Sequence, residues 1–144
     1  MPSARELKDL LFLAINDHDL YRVLDCYAPD AVYVSPVGVM EGHQQISWHF
    51  EHLFKSFPDL CYTAWYKAPC DDPAVTEYTM TGTHMGPLLL PNGEVVEATG
   101  RRITVRGSCA CAIEHGKIIT DRDYFDQLEL YCQLGFALTT APRP

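Results

Sequence analysis

The chain has 144 residues, and 11 Lys and Arg against 19 Asp and Glu give a formal net charge of −8; the length fits one domain that buries a core and still encloses a small pocket. No basic run and no aromatic-interleaved basic patch interrupts the acidic balance, so phosphate backbones are repelled and no nucleic acid partner is expected. The N-terminal MPSARELKDLLFLAINDHD has acids inside its apolar stretch, so it reads as neither a signal peptide nor a membrane span, and a cytoplasmic protein with no membrane partner is expected.

Leu7, Leu10, Leu11, Ala14 and Ile15 recur at helical spacing until Asn16-Asp17-His18-Asp19 breaks the run. Asp19 then caps a second helix over residues 20–27, where Val23, Leu24 and Tyr27 form one stripe and Ala28-Pro29-Asp30 ends it. Residues 31–35 are β-branched enough for a short strand, halted by Pro36. After Glu41-Gly42, the spacing of Ile46, Phe50, Leu53, Phe54 and Phe57 predicts an amphipathic helix over 43–56, stopped before Pro58.

From there the period changes to two. Residues 60–67, 75–84, 93–99, 103–113 and 117–125 read as strands, with turns at Asp71-Asp72-Pro73, Pro91-Asn92-Gly93 and a tight one at Glu114-His115-Gly116. Asp126-Gln-Leu-Glu129 starts a short closing helix in the manner of a capping box, ended by Gly135, and ALTTAPRP reads as a frayed tail. Helices followed by a run of antiparallel strands predict an α+β fold: a curved mixed or antiparallel sheet wrapped around N-terminal helices as a cone-shaped barrel, with a short C-terminal helix. The six cysteines lack C-x-x-C spacing and read as reduced thiols; Cys109 and Cys111 share one strand face, which suits packing better than ligation.

The order of elements and several motifs resemble the SnoaL-like polyketide cyclase family, within the cone-shaped superfold of nuclear transport factor 2, ketosteroid isomerase and scytalone dehydratase. The resemblance is carried by YAPDAVYVSPVG (27–38), EGHQQISWHFEHLFKSFPDL (41–60), TGTHMG (81–86), GEVVEATGRRITVRG (93–107), EHGKI (114–118) and DYFDQLELYCQLG (123–135). It implies one SnoaL-like domain over residues 1–136 with a tail at 137–144. It also implies a cofactor-independent cyclase of polyketide or related natural-product biosynthesis, closing a ring by aldol-type acid/base chemistry on a small polyketide-like molecule. An isomerase or epoxide-opening cyclase in the same pocket remains open, as does a non-catalytic ligand-binding or dimerisation module, because fold alone does not settle function.

Along 117–125 the odd positions Ile119, Asp121, Asp123 and Phe125 oppose the even ones, and neither face is cleanly polar. The resemblance points the odd face inward, and the family draws its acid/base aspartate from this part of the fold, which makes Asp121 the first candidate and Asp123 the second. Two carboxylates one pleat repeat apart, about 7 Å, beside Ile119 and Phe125, raise at least one pKa into a range useful for taking a carbon acid's proton. In the competing reading they face solvent or pair with Arg101, Arg102 or Arg106. Asp126 is a helix cap.

His84 shares a strand face with Tyr78, Met80 and Gly82, a face suited to a flat, partly apolar substrate, and it either donates to a carbonyl or enolate oxygen or simply bonds the following loop. Tyr33 and Ser35 share a face of the short strand; at the position matching Ser35 ketosteroid isomerase carries its catalytic aspartate, so the serine argues against that chemistry and leaves a hydrogen-bonding role. Trp48 and His52 share a helix face at four-residue spacing; the resemblance makes them candidate substrate contacts, and core packing or a dimer surface is the competing reading. His43, His49 and His52 on one short helix lack a fixed carboxylate partner, so no metal is expected. Tyr62, Trp65 and Tyr66 are expected on an exposed convex sheet face, where analogy with the fold implies a homodimer.

Overall fold

In the computed structural model, which describes residues 1–142 and 144, the chain begins with helix α1 (Ala4–Asn16), capped by Ser3, whose hydroxyl accepts from the Glu6 N–H. Its apolar positions recur every three or four residues, and Ala4, Leu7, Leu11, Ala14 and Ile15 are buried. Helix α2 (Leu20–Asp25) is capped by Asp19 as expected. It stops short of the predicted Tyr27 because the Cys26 carbonyl is taken by the Ile118 N–H, which draws Tyr27 into the sheet.

Strand β1 (Tyr27–Ser35) turns at Pro36 and Val37 into β2 (Gly38–Glu41), with Ser35 opposite Gly38; this edge strand has only four residues and escaped the sequence reading. Helix α3 (Gly42–Ser56) follows, then β3 (Cys61–Lys67) and β4 (Ala74–Thr83). Residues 93–99, expected as a strand, pair only briefly: β5 (Leu88–Leu89) and β6 (Val95–Val96) form a separate two-stranded hairpin. Strands β7 (Arg102–Glu114) and β8 (Lys117–Phe125) form the expected hairpin, and α4 (Gln127–Gln133) closes the regular structure. Residues 137–142 of the expected tail have no regular secondary structure, and Arg143 lies outside the described residues.

The main sheet runs β2-β1-β8-β7-β4-β3, antiparallel throughout except for the β1–β8 pair, which is parallel. Helix α1 packs across β3, β4, β7 and β8, and α3 packs on β1 and β2, so one face of the curved sheet is plugged by helices as the α+β reading expects. Two irregularities decide which side chains point inward. Opposite Ala112 and Ile113 stand Thr120 and Ile118, so Ile119 is a bulged residue. Beyond it the odd positions Asp121 and Asp123 are buried while Arg122 and Tyr124 are exposed. A second register shift between Ala64 and Tyr66 exposes both Trp65 and Tyr66. Tyr62, before that bulge, is buried against Phe12 and Tyr78, which corrects its expected place on the outer face. Among the described residues no helix is long and apolar enough to cross a membrane.

Candidate active site

Between α3, the inner face of the sheet, the β5–β6 hairpin and α4 lies a cavity of about 380 Å³. Its walls are mainly apolar: Val37, Met40, Leu53, Phe57, Met80, Leu88, Leu89, Phe125 and Leu130. Into this lining come a few polar groups, the phenols of Tyr33, Tyr62 and Tyr131, the rings of His49 and His52, and Trp48. Such a wall suits a flat molecule with a small number of oxygens.

Behind the wall stand the two aspartates. Asp121 is completely buried and fully partnered: Lys8 Nζ lies 2.9 Å from Oδ1 and 3.0 Å from Oδ2, and the Tyr27 hydroxyl donates to Oδ2 at 2.6 Å. Burial alone would lower Lys8, but Asp121 overcomes it and holds the ammonium well above its ordinary range. Asp123 is built differently. Its oxygens accept from Tyr33 Oη at 2.8 Å and Tyr78 Oη at 2.5 Å, with no cation in contact among the described residues. Burial raises its pKa to about 6, Lys8 opposes, Asp121 adds to the rise, and the two phenols pull it down. Neither carboxylate pairs with Arg101, Arg102 or Arg106; the ion-pair partners of Arg102 and Arg106 are Asp59 and Glu129.

Tyr33 joins the two layers. Its ring lines the cavity while its hydroxyl holds Asp123, so the carboxylate communicates with the cavity through a phenol. Tyr78, buried under the wall, holds the other oxygen. Its tip has room because Gly107, its cross-strand neighbour, has no side chain: a Cβ there would fall 2.5 Å from Tyr78 Oη. Both phenols are raised by burial and by Asp123, so both are neutral donors.

Of the other residues singled out in sequence, Trp48, His52, Met80 and Phe125 line the cavity. His52 Nε2 also accepts from the Leu89 N–H at 3.1 Å, tying α3 to the hairpin. Ser35 and His84 are placed elsewhere. The Ser35 hydroxyl accepts from Val37 N–H and donates to the Gly38 carbonyl, stabilising the β1–β2 turn. His84 is buried behind Phe57, with Nδ1 accepting from the Thr99 N–H at 3.2 Å, so it bonds the following loop. Asp126 accepts from the Glu129 N–H and is the cap of α4.

Three further residues belong to the site: the sequence reads His49 only as a rejected metal ligand and Tyr62 as an outer-face residue, and assigns Lys8 no role. His49 packs against Tyr33 with ring centroids 4.8 Å apart and planes tilted by 38°, and burial lowers its pKa to about 4, so it is neutral near pH 7. Tyr62 lines the cavity from β3, and Lys8 supports Asp121 from α1. The signal for Lys8 was present: a lone cation inside the apolar stripe of a helix. Among the described residues no group of three or more His, Cys, Asp or Glu is placed to hold a metal ion, and all six cysteines are free.

Solved structures share this architecture. TsrD from Streptomyces laurentii is 27% identical with a TM-score of 0.78 over 91% of this chain and 93% of its own. AclR from Streptomyces galilaeus, a candidate hydroxylase, is 24% identical with a TM-score of 0.78 over 92% and 95%. A candidate SnoaL-like polyketide cyclase from Jannaschia sp. CCS1 is 21% identical with a TM-score of 0.80 over 94% and 93%. Among curated proteins no sequence matches this chain. The sequence profile of the SnoaL-like domain matches residues 9–120, which contain the cavity-lining α3, β3 and β4 and end just before Asp121, and the chain belongs to the SnoaL-like domain family.

Proposed function

We propose that the protein is a cofactor-independent cyclase that closes a ring in a flat, largely apolar polyketide-like molecule by acid/base chemistry, with Asp123 as the proton acceptor and donor. One observation supports this above the others: a buried carboxylate with no cation in contact and a pKa near 6 is hydrogen-bonded to a phenol that lines an apolar cavity. A base of that strength is half ionised close to neutral pH, where it can take a proton and later return it.

In the aldol reading, a substrate proton lying between two carbonyls passes to Tyr33 Oη as the Tyr33 proton passes to Asp123 Oδ2. The enolate carbon then attacks a second carbonyl, and the alkoxide formed recovers the proton by the reverse path. The phenol of Tyr62 and the neutral ring of His49 are placed on the cavity wall to meet the developing oxygen charge. In the epoxide-opening alternative the same pair removes a hydroxyl proton instead. The Tyr33–Asp123 contact is compatible with that step as well, since a hydroxyl donates to a phenol oxygen readily.

Assays with a polycyclic β-diketone and with an epoxy-alcohol separate the readings. The diketone is the expected substrate, and Asp123→Asn is expected to lower its kcat by about a hundredfold or more with a smaller effect on KM. Turnover of the epoxy-alcohol alone would replace the aldol step by epoxide opening. Product formation undiminished in Asp123→Asn would remove Asp123 from the chemistry.

A further inference from the structure

Lys8 occupies a position where helix packing alone calls for an apolar residue. It stands one turn from Ala4, Leu11 and Phe12 on the buried stripe of α1 and is 3% exposed. Its Nζ sits 5.4 Å from the centroid of the Phe12 ring and reaches both oxygens of Asp121, but makes no hydrogen bond to Asp123. A buried ion pair adds little to stability compared with apolar packing of the same volume, so its presence beside a working carboxylate calls for another role.

We propose that Lys8 is a positioning residue that neutralises Asp121 and so makes Asp123 the carboxylate of the pair that exchanges protons with the cavity. The proposal rests on the acid/base reading of Asp123 and assigns the division of labour within the pair. Two like carboxylates on one strand face share a proton between them unless something distinguishes them. Here the distinction is made by donors: an ammonium and a phenol on Asp121, two neutral phenols on Asp123.

The groups facing Asp123 come from every surrounding element: Lys8 on α1, Tyr33 on β1, Tyr62 on β3, Tyr78 on β4, Cys109 opposite it on β7 and Asp121 on β8. Burial pushes the three phenols up and the Cys109 thiol to about 12, so all four are neutral near pH 7. His49, beside Tyr33 on α3, is neutral too. Lys8 and Asp121 are therefore the charges that set the local field at Asp123, and they act in opposite directions.

Carbon-13 NMR titration of the aspartate carboxyls tests this without a substrate, with Asp123→Asn used for assignment. Asp121→Asn keeps the shape of the side chain and leaves the ammonium uncompensated, and it is expected to lower the Asp123 midpoint by about one pH unit. Lys8→Met leaves the Asp121 charge uncompensated and moves the midpoint up by a similar amount. The Lys8→Met/Asp121→Asn double variant returns it close to the parent value. If Lys8→Met does not fold, Asp121→Asn carries the test alone. An Asp123 midpoint unmoved in Asp121→Asn overturns the role of Lys8, as does finding that the carboxyl titrating near pH 6 in the parent protein is Asp121. The acid/base reading fails separately, through undiminished turnover in Asp123→Asn.

Discussion

At the scale of single residues, Asp123 keeps its second donor because the neighbouring strand carries a glycine. Tyr78 faces Gly107 across β4 and β7, and a Cβ at Gly107 would stand 2.5 Å from both Tyr78 Cζ and Oη and 2.8 Å from Cε1. Gly107→Ala therefore pushes the phenol off Asp123 without straining the backbone. The ionised carboxylate loses a hydrogen bond, so the Asp123 midpoint climbs above about 6. Overpacking lowers stability by about 1–3 kcal/mol. Carboxyl titration and thermal unfolding read both effects, and an unchanged midpoint would show that the Tyr78 contact does not tune the acid. Strand alternation was enough to pair Asp121 with Asp123 in the sequence, but direction came from the family resemblance, because Ile118 also turns inward across the bulge at Ile119. What separates the two aspartates was not legible. Their donors lie up to 113 residues away in sequence, on α1, β1 and β4, and pattern reading has no access to such contacts.

At the scale of elements, the cavity owes its outer wall to residues 88–91, the hairpin partner of the segment whose predicted strand shrank. Residues 93–99 alternate well enough to read as sheet, but the main sheet ends at β3 and β2, and this segment pairs with Leu88–Leu89 alone. A two-stranded hairpin is marginal by itself and must be held from outside. One tether is the Leu89 N–H donated to His52 Nε2 at 3.1 Å, and another is burial of Leu88 in the core with Val96 packed against it. His52→Ala removes the first and is expected to speed hydrogen exchange of the Leu89 amide about tenfold, while amides of β7 keep their protection. Acidification acts the same way, because protonated His52 cannot accept. Burial, with help from Lys55, lowers the His52 pKa, so this loosening sets in only below the ordinary histidine range. Equal exchange at Leu89 in the two proteins would mean that the hairpin is held by packing alone. The elements legible in the sequence include the long ones with sustained periodicity, α1, α3, β4, β7 and β8, whereas β2, which it lacks, and the strands of the hairpin, which it overdraws, are four residues or fewer.

At the scale of the whole molecule, the site places two opposed proton linkages on stability. Asp123 has an ordinary pKa of 3.8 and a folded value of about 6. Between them the native state holds more protons than the unfolded chain, so stability falls as pH rises, by at most about 1.4 kcal/mol per pH unit. His49 moves from 6.5 down to about 4 on folding, chiefly by burial. Between those values the unfolded chain holds more protons, so stability rises with pH. The two windows overlap from about pH 4 to 6, and there the slopes nearly cancel. His52 and His84, whose pKa values are also lowered by burial, add to the rise in every variant and drop out of differences. Relative to the parent protein, Asp123→Asn should therefore gain stability steadily from pH 4 to 6, and His49→Gln should lose it over the same interval. Urea unfolding at pH 4, 5, 6 and 7 measures both differences. If either variant tracks the parent curve at a constant offset, the group it removes does not change protonation on unfolding. Opposite slopes would instead identify Asp123 as a group retained at a cost to the neutral-pH fold, which packing does not require and proton transfer in the cavity does.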